Sequence, residues 1–367
     1  MALALQQANE CLYITDPNPR VGCVLTASDG TIVGVGQTQR VGGPHAEVMA
    51  LRDAAARGLS AEGATAYVTL EPCAHHGRTG PCCDALIAAG IRRVVASIAD
   101  PNPLVAGQGF ERLRAAGVDV EVGPGADTAR ALNIGFFSRM VRKTPWVRMK
   151  TAASLVGTTA LENGSSQWIT GEAARADGHA WRARASAVLT GVGTLLEDDP
   201  RLDVRLVDTP RQPHLVIVDS RLQTPPTAKL FDIAGRQVWI YCTDQGDAGK
   251  AAALETRGAT VTCLTNPSGK VDLSAMLRDL ATREVNELHV EAGEKLNGSL
   301  LREGLVDELL VYLAPKFIGS GLGMANRPFA GGPLTDLARA TALEFTSVER
   351  FGPDLRIVAQ VLGRADF

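Results

Sequence analysis

The sequence predicts an α/β protein of two domains that meet near residue 144. Length comes first, because 367 residues exceed the size at which one hydrophobic core usually stops growing. Next, the first 140 or so residues alternate short apolar runs with helical patterns, the signature of a sheet covered by helices. A second α/β series then starts after Lys143-Thr144-Pro145, giving domains 1–144 and 145–367.

In the first series, strands are expected at 21–25, 32–35, 66–70 and 94–98, with helices at 46–57, 83–89 and 109–116. Asp29-Gly30 is a hairpin turn signal. Gly90 and Gly117 stand where left-handed helix caps are expected. Asp16-Pro17-Asn18-Pro19 recurs as Asp100-Pro101-Asn102-Pro103, and both segments predict turns, since each proline pushes its predecessor out of the helical region. The second series predicts strands at 146–151, 187–189, 215–218, 238–242, 287–290 and 309–313 and a helix at 171–184. A loop at 293–299 follows, leading into a helical run at 300–304.

Hydrophobic residues make up 45% and charged residues 21%, values of a soluble globular chain. A net charge of −3 offers no field to recruit a polyanion, so a nucleic-acid partner is not expected. Residues 1–9 lack the basic segment and apolar run of a secretory signal, and no window approaches the ~20 apolar residues that cross a bilayer. The expected location is the cytoplasm, with no membrane partner. Of seven cysteines, Cys73, Cys82 and Cys83 crowd together, which reads as metal or catalysis in a reducing compartment rather than as a disulfide framework. Cys11, Cys23, Cys242 and Cys263 stand alone among apolar residues and are expected to be buried small hydrophobes.

The chemistry is concentrated in His45-Ala46-Glu47, Glu71-Pro72-Cys73 and Pro81-Cys82-Cys83. One imidazole and two thiolates suit tetrahedral zinc, and three protein ligands (His45, Cys73, Cys82) leave a position for water. Zinc lowers the pKa of that water, and Glu47, beside the ligand, can carry its proton. This division of labour belongs to zinc deaminases, whose general signature is H-x-E followed by P-C-x-x-C. Here eight residues separate Cys73 from Cys82 instead of two. A structural zinc with Cys83 or His75 as fourth ligand is the competing arrangement, but it leaves Glu47 without a task. On a helix Cys83 points about 100° away from Cys82 and is expected to pack.

With Pro17 to Cys23, Pro44 to Val48 and Glu71 to Cys83 taken together, the chain resembles the bifunctional riboflavin-biosynthesis deaminase-reductase family, whose own pattern includes the eight-residue spacer. The resemblance covers nearly the whole chain. It implies a cytidine-deaminase-like α/β/α sandwich followed by a dihydrofolate-reductase-like α/β domain. It also implies a diaminohydroxy-pyrimidine substrate carrying a phosphoribosylamino group, held with help from Asn18, His76 and Arg78. Gln37 departs from the family's histidine at one substrate contact.

From residues alone, the second half offers less. Gly293 to Ser299 has spacing close to a phosphate loop, but Ser299 occupies the lysine position, so an ATP site is not expected. The resemblance implies NADPH on Ala152, Trp168, Thr194, Asp198, Ser220, Gly293, Glu294, Lys295, Leu296, Asn297, Gly298 and Ser299. Substrate is implied on Ser166, Arg182, Leu202, Arg205 and Glu291, where arginine forks suit a ribose phosphate. A homo-oligomer is implied as well. Ser154-Leu155-Val156-Gly157-Thr158 departs from the family's Ser-Leu-Asp-Gly followed by a basic residue. Loss of a buried charged partner there predicts a reductase weakened by about 1–3 kcal/mol. A monofunctional deaminase is the alternative this leaves open. A polymer-acting base deaminase would need a cationic track that the sequence does not advertise.

Overall fold

The computed structural model describes residues 1–75, 80–103, 105–324 and 336–367. The chain forms two compact units, Met1–Lys143 and Thr144–Phe367.

The first unit runs α1 (Ala2–Glu10), β1 (Gly22–Thr26), β2 (Ile32–Gln37), α2 (Ala46–Ala56), β3 (Thr65–Val68), α3 (Cys82–Ala88), β4 (Arg93–Ala96), α4 (Gln108–Ala115), β5 (Asp119–Val122), α5 (Ala126–Leu132) and α6 (Ile134–Arg142). Its sheet has the order β2-β1-β3-β4-β5, antiparallel at β2-β1-β3 and parallel from β3 to β5. The Asp29-Gly30 turn forms: Gly30 has φ 86°, and Asp29 Oδ1 takes the Thr31 N–H at 2.9 Å. Gly90 and Gly117 follow α3 and α4 with φ of 70° and 84°, as left-handed caps require. A Cβ on Gly36 would lie 2.3 Å from Ala50 N and 2.5 Å from Ala46 O, so glycine lets β2 lie directly against the first turns of α2.

The second unit runs β6 (Trp146–Ser154), β7 (Thr158–Leu161), α7 (Glu172–Arg184), β8 (Ala187–Gly191), α8 (Val192–Asp198), β9 (His214–Val218), β10 (Val238–Cys242), α9 (Ala248–Thr256), β11 (Ala259–Cys263), α10 (Leu273–Thr282), β12 (Glu287–Val290), α11 (Glu294–Arg302), β13 (Glu308–Ala314), β14 (Gly321–Gly323), β15 (Leu343–Phe351) and β16 (Asp354–Val361). Nine strands form one sheet, β11-β10-β9-β8-β12-β6-β13-β16-β15. It is parallel from β11 to β13 and antiparallel over the last two pairings. β7 and β14 pair separately. Because β12 returns between β8 and β6, strand order reverses there, and a crevice opens outside the carboxyl ends of these strands. Val147, Met149, Leu189, Leu288 and Val290 pack with Met276, Leu277 and Leu280 of α10, while Ile217, Ile240, Cys242 and Leu254 build a second core cluster.

Where the sequence suggests a loop over 293–299, the structure has the start of α11. Gly293 is its N-cap and Glu294 sits in its first turn, where negative charge is favourable. Gly298, an unfavourable residue inside a helix, is buried, so packing outweighs the local preference. Cys11 and Cys23 are buried as expected. Cys263 is exposed and stands beside Cys242 rather than alone, because β11 is the edge strand and pairs Cys263 with Cys242 in register. No helix among the described residues is long and apolar enough to cross a membrane.

Candidate functional site

In the first unit, His45 is the N-cap of α2, Cys73 follows β3 and Cys82 opens α3. Their ligand atoms all lie within 4.8 Å of one another. His45 Nδ1 is 3.6 Å from Cys73 Sγ and 3.3 Å from Cys82 Sγ. Tetrahedral zinc with ordinary Zn–N and Zn–S bonds needs N and S about 3.5 Å apart, so the three residues fit the ion. The hydrogen bond from Cys82 and the nearby His45 hold the Cys73 thiol well below its usual range, while the same hydrogen bond raises Cys82, so Cys73 is the first of the two to offer the thiolate a metal needs. Neither candidate fourth ligand joins the triad: Cys83 is buried with Sγ 3.1 Å from Pro72 O, and His75 is exposed.

Glu47 lies in the first turn of α2 and is 3% exposed. Burial, reinforced by Cys73, pushes its carboxyl up to about 7, in the range of a group that both takes and returns a proton. The Gly36 contact seats this turn on the sheet, so His45 and Glu47 start from one rigid base. Glu71, to which the sequence reading gave no role of its own, ties the end of β3 to the segments that follow β4 and open α4. Its Oε1 takes N–H groups of Gly109 (2.8 Å) and Phe110 (3.4 Å), and its Oε2 those of Asp100 (3.1 Å) and Gly107 (3.0 Å). Asn18 lies half-buried in its turn, and Gln37 ends β2 half-buried, whereas His76 and Arg78 lie outside the described residues.

In the second unit a cavity of about 900 Å³ opens at the carboxyl ends of β6, β12 and β8. It brings together Ala152, Ser166, Trp168, Arg182, Thr194, Asp198, Leu202, Arg205, Glu291, Gly293, Glu294 and Asn297. It does not reach Ser220, Lys295, Leu296, Gly298 or Ser299. The last four fall on other faces of α11: Leu296 packs into the core, Gly298 is buried, and Ser299 Oγ turns back to Lys295 O at 3.0 Å. Ser220 follows β9, and its carbonyl accepts Thr243 Oγ1–H at 2.8 Å.

Glu291 is the electrostatic centre of the cavity. Burial penalises its charge, but Arg182 and Lys150 outweigh that and hold its carboxyl well below the usual range. Arg182 grips it through both Nε and Nη2, the second at 2.8 Å, and Lys150 Nζ stands 3.7 Å away. Arg205 is half exposed, and its Nη1 donates to Asp203 Oδ1 at 2.6 Å. Its backbone N–H donates to His179 Nδ1 at 3.2 Å. Burial, with Arg182 and Arg205 adding, lowers His179 to about 4, which leaves the ring neutral and able to accept. Leu202 has φ 48°, a rare conformation for a branched side chain, and its carbonyl is fixed by Arg236 Nη1 at 2.7 Å. Lys150 and His179 were within reach of sequence reasoning only as members of a strand and a helix; nothing local marks them as cavity residues.

Val156 departs from expectation. It is 58% exposed in the turn between β6 and β7 and does not line the cavity. A carboxylate at this position would lie at the protein surface. Thr158 is buried, with its N–H on Ser154 Oγ at 3.1 Å, a bond any residue's amide can make.

Residues 1–98 match the family described as the cytidine and deoxycytidylate deaminase zinc-binding region, and residues 145–357 match the RibD C-terminal domain. The riboflavin biosynthesis protein RibD of Escherichia coli K12 is 44% identical, with 97% of this chain and 96% of that protein covered. The chain belongs to the RibD family. Its counterpart from Aquifex aeolicus is 40% identical over 97% of this chain and 96% of its own length. Among solved structures, RibD of Acinetobacter baumannii superposes with a TM-score of 0.87 at 37% identity, covering 98% of this chain and 97% of that one. A diaminohydroxyphosphoribosylaminopyrimidine deaminase/5-amino-6-(5-phosphoribosylamino)uracil reductase from Thermotoga maritima gives 0.85 at 32% identity, covering 98% and 97%. The chain therefore has a cytidine-deaminase-like zinc-binding domain followed by an NADPH-using reductase domain, and it acts on a small molecule.

Proposed function

We propose that residues 1–144 hydrolytically deaminate a phosphoribosylamino-diaminohydroxypyrimidine and that residues 145–367 then reduce its ribosyl group to ribityl. The observation that carries the first step is the convergence of His45, Cys73 and Cys82 beside the buried Glu47. Zinc, which these three residues would hold, would supply an acidified water as the nucleophile. Glu47 takes one proton from that water and passes it to a ring nitrogen, then takes the proton of the added hydroxyl and delivers it to the departing amine. The exchange then balances as N=C–NH2 plus H2O giving HN–C=O plus NH3. Asn18, His76 and Arg78 hold the substrate at this site.

For the second step NADPH supplies the hydride. Ala152, Trp168, Thr194, Asp198, Gly293, Glu294 and Asn297 hold the cofactor, with Ser220 at the far end of the strand edge. Ser166, Leu202 and the Glu291–Arg182 pair orient the sugar, and Arg205 takes its phosphate. The cofactor has room: a 900 Å³ cavity at the strand-order reversal is the size and place such a ligand uses.

A coupled assay tests both steps. The wild-type protein releases ammonia and then oxidises NADPH on the same substrate. Glu47→Gln should lose about 10²–10⁴ of the ammonia rate while keeping zinc, yet still oxidise NADPH when given the deaminated compound. Ammonia release at the wild-type rate from that variant would overturn the assignment.

The chain is proposed to form a homo-oligomer. In support, edge strand β15 exposes Leu343, Phe345 and Val348, an apolar border that a second copy would cover. Sedimentation at the 38.7 kDa monomer mass would refute this. The cytoplasm is proposed as its compartment, since a thiolate site needs reduced cysteines. No nucleic-acid partner is proposed at a net charge of −3.

A further inference from the structure

At the border of the nine-stranded sheet, β10 and β11 end together on Cys242 and Cys263. The two residues are direct partners in a parallel register, and their Sγ atoms lie 2.7 Å apart. Adjacent strands run ~4.8 Å apart, inside the range of roughly 4.4–6.8 Å between Cα atoms that a disulfide spans. Both thiols are free in the structure; Cys242 is buried and Cys263 is exposed. They are far in sequence from the zinc ligands and belong to the other unit. Nothing in the deamination or reduction chemistry uses them.

We propose that Cys242 and Cys263 are a site of reversible thiol oxidation, taking a low-molecular-weight disulfide as reactant and closing into a bond that ties the outermost strand to its neighbour. Exposure sets the order of events. The Cys263 thiolate attacks one sulfur of the incoming disulfide, forming a mixed disulfide and releasing one thiol. The Cys242 sulfur then attacks Cys263 Sγ, closing the protein bond and releasing the second thiol. Two protein thiols lose two electrons, the external disulfide gains them, and the two cysteine protons leave on the released thiols. Burial raises the Cys242 thiol, so the exposed Cys263 starts the exchange, and the 2.7 Å approach of the two sulfurs places Cys242 to resolve it.

The bond would form one residue from Thr243, which holds Ser220, a residue proposed above for the cofactor although the cavity does not reach it. Thr243 follows Cys242 and gives its N–H (3.3 Å) and Oγ1–H (2.8 Å) to the Ser220 carbonyl, while Leu264, after Cys263, donates its N–H to Cys242 O at 2.9 Å. The oxidation state of the pair is thus transmitted to Ser220; this consequence, unlike the bond itself, rests on the cofactor reading proposed above.

The full-length, zinc-loaded protein is incubated with oxidised glutathione, digested without reduction and mapped by mass spectrometry. The expected product is a single cross-linked peptide pair containing Cys242 and Cys263, two fewer titratable thiols, and recovery of both on adding reduced glutathione. Cys242→Ser should stop at a glutathione adduct on Cys263, and Cys263→Ser should give neither adduct nor cross-link at this site. A persistent adduct on wild-type Cys263 without cross-linking, or a cross-link that forms only after denaturation, overturns the site. Oxidised wild type should show a shifted KM for NADPH with ammonia release unchanged. A cross-linked protein with the same KM as the reduced one overturns the link to Ser220 and leaves the site itself standing.

Discussion

Val156 and Glu47 illustrate what single residues disclose. Both were marked in the sequence, one as a departure and one as a proton carrier, and burial separates them: Val156 is 58% exposed and Glu47 is 3% exposed. A surface substitution away from caps and partners usually moves stability by less than about 0.5 kcal/mol. Val156→Asp is therefore expected to leave both the melting temperature and the NADPH oxidation rate near wild type. A large gain in turnover would show that the missing aspartate acts on substrate after all. Composition alone could not have settled this, because whether an aspartate has a buried partner is a property of the turn that carries it. The metal triad was legible for the opposite reason: His, Cys and Cys at strand and helix edges state their chemistry by type and spacing. The role of Glu71 stayed hidden because its partners are the backbone amides of Asp100, Gly107, Gly109 and Phe110, which leave no trace in residue type.

At the scale of elements, most strands were readable from apolar runs, and their ends fall within a few residues of expectation. Those missed were missed for physical reasons. β5 is Asp-Val-Glu-Val on a sheet border and is mostly exposed, so it carries little apolar signal. α10 was also not predicted, although its signal was there: Asp272 caps Ala275 N at 2.8 Å and Leu273, Met276, Leu277 and Leu280 are buried at helical spacing. The Glu71 clamp gives this scale its prediction. A glutamine has one acceptor oxygen where the carboxylate uses two, so Glu71→Gln should release the amides of Asp100 and Gly107 or those of Gly109 and Phe110. Losing charged hydrogen bonds costs about 1.5–3 kcal/mol, and the segment from Asp100 to Gly107 should loosen beside the zinc ligands. The expected readout is a raised KM for deamination, with zinc content and NADPH oxidation unchanged. An unaltered KM would show that this segment is held by other means.

For the whole molecule, the division into units Met1–Lys143 and Thr144–Phe367 has an energetic counterpart. Each unit has its own sheet, and only the first has the metal triad among the described residues. Zinc binds the folded triad and stabilises that unit by mass action. Calorimetry is expected to resolve two transitions, of which chelation lowers one. Chelation should also abolish ammonia release while NADPH oxidation on the deaminated compound persists. A single transition that moves as a whole on chelation would show that the units melt as one.

His45 and Glu47 leave the same turn of α2, and that turn rests on Gly36. This shared footing decides how the enzyme breaks. Any substitution that lifts the turn carries the metal ligand and the proton carrier away together, so grip on the ion and command of the proton are lost in one stroke. Damage here should yield a silent catalyst rather than a careless one, with no intermediate form that keeps its metal seated but releases half-processed pyrimidine.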